Sequence, residues 1–176
     1  MHNTRWESVG SVRSGDWDQK TPSDRSEWLN DLLFADRFED SVFHQSFEEH
    51  YQNGSPWSET ELVQTIKQNV SEDDPYHSCT TVAEVDQFFE SVDEVHQSII
   101  LNGYQTQKHL QKTAEGRPYA KFKSRVRDEI CIDIGRSGEP LFVDGKHRLS
   151  LAKILDLEEI PVVILVRHSK WADEVN

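Results

Sequence analysis

Residues 144–148 read Asp-Gly-Lys-His-Arg. A carboxylate, a glycine, two permanent cations and a histidine within five positions are groups that hold phosphates and move protons. The apolar run Leu141-Phe142-Val143 leads into them, and Leu149, Leu151, Ala152, Ile154 and Leu155 follow at helical spacing. The pattern predicts a strand, a tight loop and a helix from about 146 to 156. A helix start offers unsatisfied N–H groups and partial positive charge. Gly145 would let a ligand approach the backbone, and Lys146, His147 and Arg148 would add charge-assisted donors. Cations at that end oppose the helix dipole, which favours a bound anion over a merely solvated first turn. Asp144 and His147 are the candidates for catalysis, and Gly145, Lys146, His147 and Arg148 for phosphate or nucleotide binding.

The loop depends on the elements around it. Ile130, Ile132 and Ile134 alternate with polar positions, and Arg136-Ser137-Gly138-Glu139 reads as the turn of a β-hairpin whose second strand ends at the loop. Pro161 opens a nearly all-apolar strand, Pro161–Val166, of the kind buried on both faces. Over 82–102, Val82, Val85, Phe88, Phe89, Val92, Val95 and Ile99 mark one helical face, and Asn102-Gly103 ends it. Residues 23–54 read as helical up to a stop at Asn53-Gly54, and Ser58 with Glu61 forms a capping-box spacing for a helix over 58–69. Residues 6–18 read as a short strand running into a polar turn, and 70–80 as a loop or boundary.

Composition narrows the function. The chain has 176 residues and a net charge of −13, which argues against a generic coat for nucleic acid. The charge is uneven, with 16 acidic against 6 basic residues over 1–74. Residues 108–127 hold 7 basic residues and a single acid, Glu115. There Lys121, Lys123, Arg125 and Arg127 alternate along a predicted strand, with Tyr119 or Phe122 available for stacking. This is either a nucleic-acid track or a strip neutralised by the acidic helices. So acidic a body suits a high-salt cytoplasm. No membrane helix and no signal peptide is expected, so the expected location is the cytoplasm. Cys79 and Cys131 lack metal or redox spacing, Cys131 reading as a small buried hydrophobe, and the eight histidines show no zinc pattern. Asp16 and Asp18 flank Trp17 as a turn or metal pair, and Arg167, His168 and Lys170 follow the last strand, with Trp171 as a packing cap.

The stretch 141–168, with its Asp-Gly-x-His-Arg loop and downstream Ile160-Pro161-Val162, resembles the ParB/sulfiredoxin-like superfamily. Residues 92–107 resemble the same domain's helix and the Gln-bearing strand start after it, so the likeness covers about 82–168. It implies an α+β (mixed α/β) fold: a small sheet with packed helices over 81–176, a first strand within 1–18 and a helical insert over 19–80. Lys146 replaces the glutamate of ParB's CTP loop and the nucleophilic cysteine of sulfiredoxins, so neither ParB-type CTP hydrolysis nor sulfinic-acid reduction is expected. No helix-turn-helix follows, so partition-type centromere binding is not expected either. The superfamily's ADP-dependent free-serine kinases have the nearest loop. That likeness implies Asp144 near an accepting hydroxyl or a metal and Gly145, His147 and Arg148 on phosphates, with Glu7, Asp16 and Asp18 as candidates for the role of those kinases' catalytic glutamate.

The expected function is therefore binding of a nucleotide or phosphorylated small ligand (ATP, ADP or CTP with Mg²⁺) at Asp144–Arg148, with phosphoryl transfer or nucleotide hydrolysis as the matching chemistry. Gln105, Gln107, Arg127 and Arg167 are further candidate contacts. The alternative is a non-catalytic nucleic-acid-binding regulator using the basic strip 108–127.

Overall fold

The computed structural model describes residues 9–19, 27–33, 35, 37–112 and 129–175. The chain divides into two compact units, one comprising Met1–Asp24, Tyr104–Leu149 and Glu158–Asn176, the other Arg25–Gly103 and Ser150–Leu157. Among the described residues there are seven α-helices and one four-stranded mixed sheet, an α+β fold as expected. No helix among the described residues is long and apolar enough to cross a membrane.

The first unit carries the sheet. Its strands are β1 (Ser11–Arg13), β2 (Cys131–Ile134), β3 (Pro140–Asp144) and β4 (Val163–His168), in the order β1-β4-β2-β3. β4 runs parallel to both β1 and β2, while β2 and β3 form the expected antiparallel hairpin. β4 begins at Val163 rather than Pro161: Pro161 has no N–H for the ladder, and Val163 N–H donates to Ile130 O at 2.8 Å. Pro161 and Val162 are exposed, so burial on both faces does not extend to the start of the predicted run. Cys131, Val143, Leu165 and Val166 form a buried core, with Trp17 and Val163 packed against it. Two helices also belong here: α5 (Gln107–Lys112) and α7 (Ser169–Glu174). Trp171 of α7 lies against Gly138 of the hairpin turn, the packing role its sequence position suggested.

The second unit is helical. The stretch read as helical over 23–54 divides into α1 (Glu27–Leu33), a 3₁₀ turn (Phe38–Asp40) and α2 (Val42–Tyr51). The break has a local cause. Ser41 Oγ donates to Phe38 O at 2.5 Å and accepts from His44 N at 3.2 Å, closing one turn and opening the next helix. α3 (Glu61–Ser71) starts two residues later than the Ser58 spacing suggested. Its cap is Thr60, fully buried, with Oγ1 donating to Trp57 O and accepting from Val63 N. α4 (Val82–Asn102) occupies the predicted range, and Thr81 with Glu84 forms a capping box.

α4 groups with the preceding helices, so the division does not fall at the expected boundary near residue 81. Its buried face explains this. Val85, Phe89 and Val92 are inside, and Phe89 packs on Trp57 with ring centroids 4.8 Å apart. Asp93 Oδ1 accepts from Tyr51 OH at 2.8 Å and from Trp57 Nε1 at 3.0 Å, tying α4 to α2 and the 3₁₀ turn before α3. α6 (Lys146–Ile154) begins in the sheet unit, and its last turns belong to the helical one. There Leu151 and Ala152 are buried, and Lys153 pairs with Glu39 at 2.5 Å.

Candidate functional site

The site begins where β3 hands over to α6. Asp144 ends the strand, and its Oδ1 accepts the N–H of Gly145 at 2.8 Å. Gly145 has φ +90°, and a Cβ built on it would lie 2.6 Å from Glu129 O and 2.7 Å from Ile130 Cα. Glycine is therefore required here by the close approach of two backbone stretches of this chain. The helix then starts at Lys146, and Leu149 N–H to Gly145 O at 2.9 Å is an early i→i−4 bond. Its first turn has no acidic residue. Lys146 is only 6 % exposed, and His147 and Arg148 are partly buried.

Arg148 meets an internal carboxylate. Nη1 donates to Glu129 Oε2 at 2.9 Å, Nη2 donates to Gln105 O, and the guanidinium lies 4.3 Å from the centre of the Tyr104 ring. Glu129 Oε1 accepts the Gln107 N–H at 2.7 Å. The side chains are 13 % exposed for Arg148 and 10 % for Glu129, so the pair is largely withdrawn from water. One ion pair thus binds three segments together: 104–107, the start of β2 and the first turn of α6. Burial pushes the Tyr104 hydroxyl up to about 12, and this oxygen has no hydrogen-bond partner among the described residues. Burial, then the charges of Asp144, Glu129 and Asp133, also push the Cys131 thiol up to about 12. A thiol so protonated is no nucleophile, in keeping with its reading as a small core residue.

No family model matches this chain, and neither curated proteins nor solved structures yield a match. Function therefore has to be argued from the side chains.

The structure gathers some of the sequence-predicted residues and not others. Asp144, Gly145, Lys146, His147 and Arg148 share the loop, and Gln105 and Gln107 join it through their backbone groups. Arg148 is a correction: its guanidinium engages Glu129, Gln105 and Tyr104, so it is not a cation held in reserve for a phosphate. Arg167 is another. Ladder register sets it against Ile134 and Val12, whereas Cys131 pairs with Asp144, so Arg167 belongs to the hairpin-turn end of the sheet. Three residues of strand separate the two ends, roughly 10 Å.

Asp16 and Asp18 are also reassigned. Arg136 donates from Nε to Asp18 Oδ2 at 2.8 Å and from Nη2 to Asp18 Oδ1 at 2.7 Å and Asp16 Oδ1 at 2.9 Å. These bonds hold the Asp18 carboxyl far below the usual carboxylate range. Beside them, His168 Nδ1 accepts from Lys170 N–H at 3.2 Å, so the opposite nitrogen donates to Gly15 O at 2.9 Å. Trp17 stacks on that ring. This cluster ties the end of β1 to the hairpin turn and to β4. No group of three or more His, Cys, Asp or Glu able to hold a metal occurs among the described residues.

Glu7, Arg127 and the strip carrying Tyr119, Lys121, Phe122, Lys123 and Arg125 lie outside the described residues. The residue the sequence reading missed is Glu129. Its signal was available: in a hairpin whose β2 starts at Cys131 opposite Asp144, an acid two positions before β2 sits against the loop.

Proposed function

We propose that Asp144–Arg148 binds a small phosphorylated ligand, with ADP, ATP and CTP the leading candidates, in a frame like that of ParB/sulfiredoxin-like domains. The observation carrying this reading is the first turn of α6, where Lys146 is buried to 6 % exposure beside His147 and Arg148 with no acid in the turn. That end of a helix already bears partial positive charge, so an anionic group docked beside these side chains would be favoured there. In the bound state Lys146 and His147 would take the phosphate oxygens, and Tyr104–Gln107 would form the adjoining wall. Asp144 supplies the loop's carboxylate and would face Mg²⁺ carried in on the nucleotide, an ion that keeps most of its own waters. Phosphoryl transfer or hydrolysis is the chemistry this arrangement suits, because positioning and charge neutralisation are its main demands. Asp144 and His147 would be the residues to act in it.

The test is a melting-temperature screen of the full chain against ADP, ATP, CTP and pyrophosphate with and without Mg²⁺, followed by calorimetry on the best ligand. A saturable rise in Tm is expected, and Lys146→Met, which keeps length and removes charge, should weaken Kd at least tenfold. No shift with any of these ligands would refute the reading. Binding only to long nucleic acid, with a steep salt dependence, would refute it in favour of the basic segment 108–127.

A further inference from the structure

We infer that the junction of the 3₁₀ turn Phe38–Asp40, α2 and the end of α6 is an acid-released catch, with His44 as its sensor. All of these residues belong to the helical unit. His44 stands in the first turn of α2 and is 3 % exposed. Its ring packs on Phe38 with centroids 5.6 Å apart. Nε2 lies 3.8 Å from Glu48 Oε1, while Nδ1 is buried with no hydrogen-bond partner among the described residues. A neutral ring with its proton on Nε2 leaves one lone pair unmet there. An imidazolium would leave an N–H donor and a charge unmet, which costs far more.

The charges around the ring do not rescue the imidazolium. Glu48, on α2 itself, is 43 % exposed and stands beyond hydrogen-bond length. Glu39, on the 3₁₀ turn, is engaged by Lys153 of α6 at 2.5 Å, and Lys153 opposes a second positive charge. Among the described residues, α1 and α3 also pack on α2 but add no charge that acts on the ring. Burial therefore pushes His44 below its ordinary value of 6.5, against the pull of Glu48, with Lys153 adding to the fall and Glu39 opposing it. To take a proton, the ring has to reach water. Ser41 Oγ accepts the His44 N–H at 3.2 Å and donates to Phe38 O, so the ring's outward turn strains the cap that starts α2 as well as the Phe38 contact. The acid form is thus a helical unit in which the first turn of α2 has opened.

The closed state binds fewer protons than the opened one, so closure is fully favoured above about pH 6.5 and weakens as pH falls below it. One proton taken up only on opening limits the change in the opening equilibrium to about tenfold at pH 5.5. The experiment is amide hydrogen exchange on the full chain from pH 7.5 to 5.5, corrected for the intrinsic rate, alongside an NMR titration of the His44 ring. Protection of the His44 and Gln45 amides, both bonded to Ser41, should fall by about three- to tenfold in wild type. His44→Phe keeps a ring against Phe38 and removes the titrating group, so its Gln45 amide should show no such fall. The wild-type ring should gain its proton only below pH 6.5. A flat wild-type exchange profile, an equal fall in His44→Phe, or a ring that charges at pH 6.5 or above would each overturn the inference. Should His44→Phe fail to fold, the two wild-type measurements decide.

Discussion

Replacing Gly145 by alanine tests the part of the structure on which the site geometry depends. Two costs follow from the coordinates. At φ +90° an L side chain is strained, which costs about 1–2 kcal/mol. The added methyl would also stand 2.6 Å from Glu129 O and 2.7 Å from Ile130 Cα, backbone atoms that cannot rotate aside. Overpacking of that kind costs about 1–3 kcal/mol more. Gly15 is the matched control, since it lies in the same unit with φ +95° and nothing within 4 Å of its would-be Cβ. Gly15→Ala should therefore show the strain alone. The gain from restricting the unfolded chain is common to both variants and cancels in the difference. Gly145→Ala should be the less stable by about 1–3 kcal/mol, a gap of about 2–12 °C in Tm for a chain of this length. Denaturant titration followed by circular dichroism gives the free energies, and a thermal scan gives the gap. Equal stability of the two variants would refute the close backbone approach. If Gly145→Ala were then stable but failed to bind ADP, the glycine would be serving ligand clearance after all.

Three further outcomes follow from the same contacts. Arg148→Ala strands the Glu129 carboxylate away from water and should cost about 3–5 kcal/mol in denaturant unfolding; a loss below about 1 kcal/mol would show that the pair is not buried as described. Asp18 has a carboxyl held well below its usual value of 3.8, chiefly by hydrogen bonding from Arg136. The native state therefore binds fewer protons than the unfolded state just below that value, and stability is lost as pH falls through that window. Asp18→Asn should lower Tm at neutral pH and flatten its decline below about pH 4, whereas a profile parallel to wild type would contradict the assignment. Thr60→Ala should cost about 1 kcal/mol as a lost N-cap, while Ser58→Ala should cost almost nothing in the same unfolding assay, the reverse of what the sequence spacing suggests.

Much of the framework was legible before any coordinates. The α4 range, the β2–β3 hairpin and the strand-to-helix change at Asp144–Lys146 all follow from short-range patterns, because apolar period and capping chemistry act within a few residues. The same locality explains the misplaced cap. Ser58 and Thr60 both offer a hydroxyl, and the choice went to the one whose oxygen also reaches Trp57 O inside a buried turn. The helical reading over 23–54 divides for a similar reason: its apolar residues keep helical spacing on either side of Ser41, whose side chain ends one turn and starts another. The composition of the candidate loop was plain in the sequence.

What the sequence by itself determined, then, is the inventory: which segments are helix or strand, and which loop gathers charge. Only the tertiary structure decided who meets whom. Arg148 faces a glutamate 19 positions earlier, and Arg136 faces an aspartate 118 positions away. The order β1-β4-β2-β3 separates Arg167 from the loop it was expected to join. Periodicity and caps are local energies, whereas ion pairing and strand order depend on which distant surfaces exclude water together, and no window of sequence contains both partners.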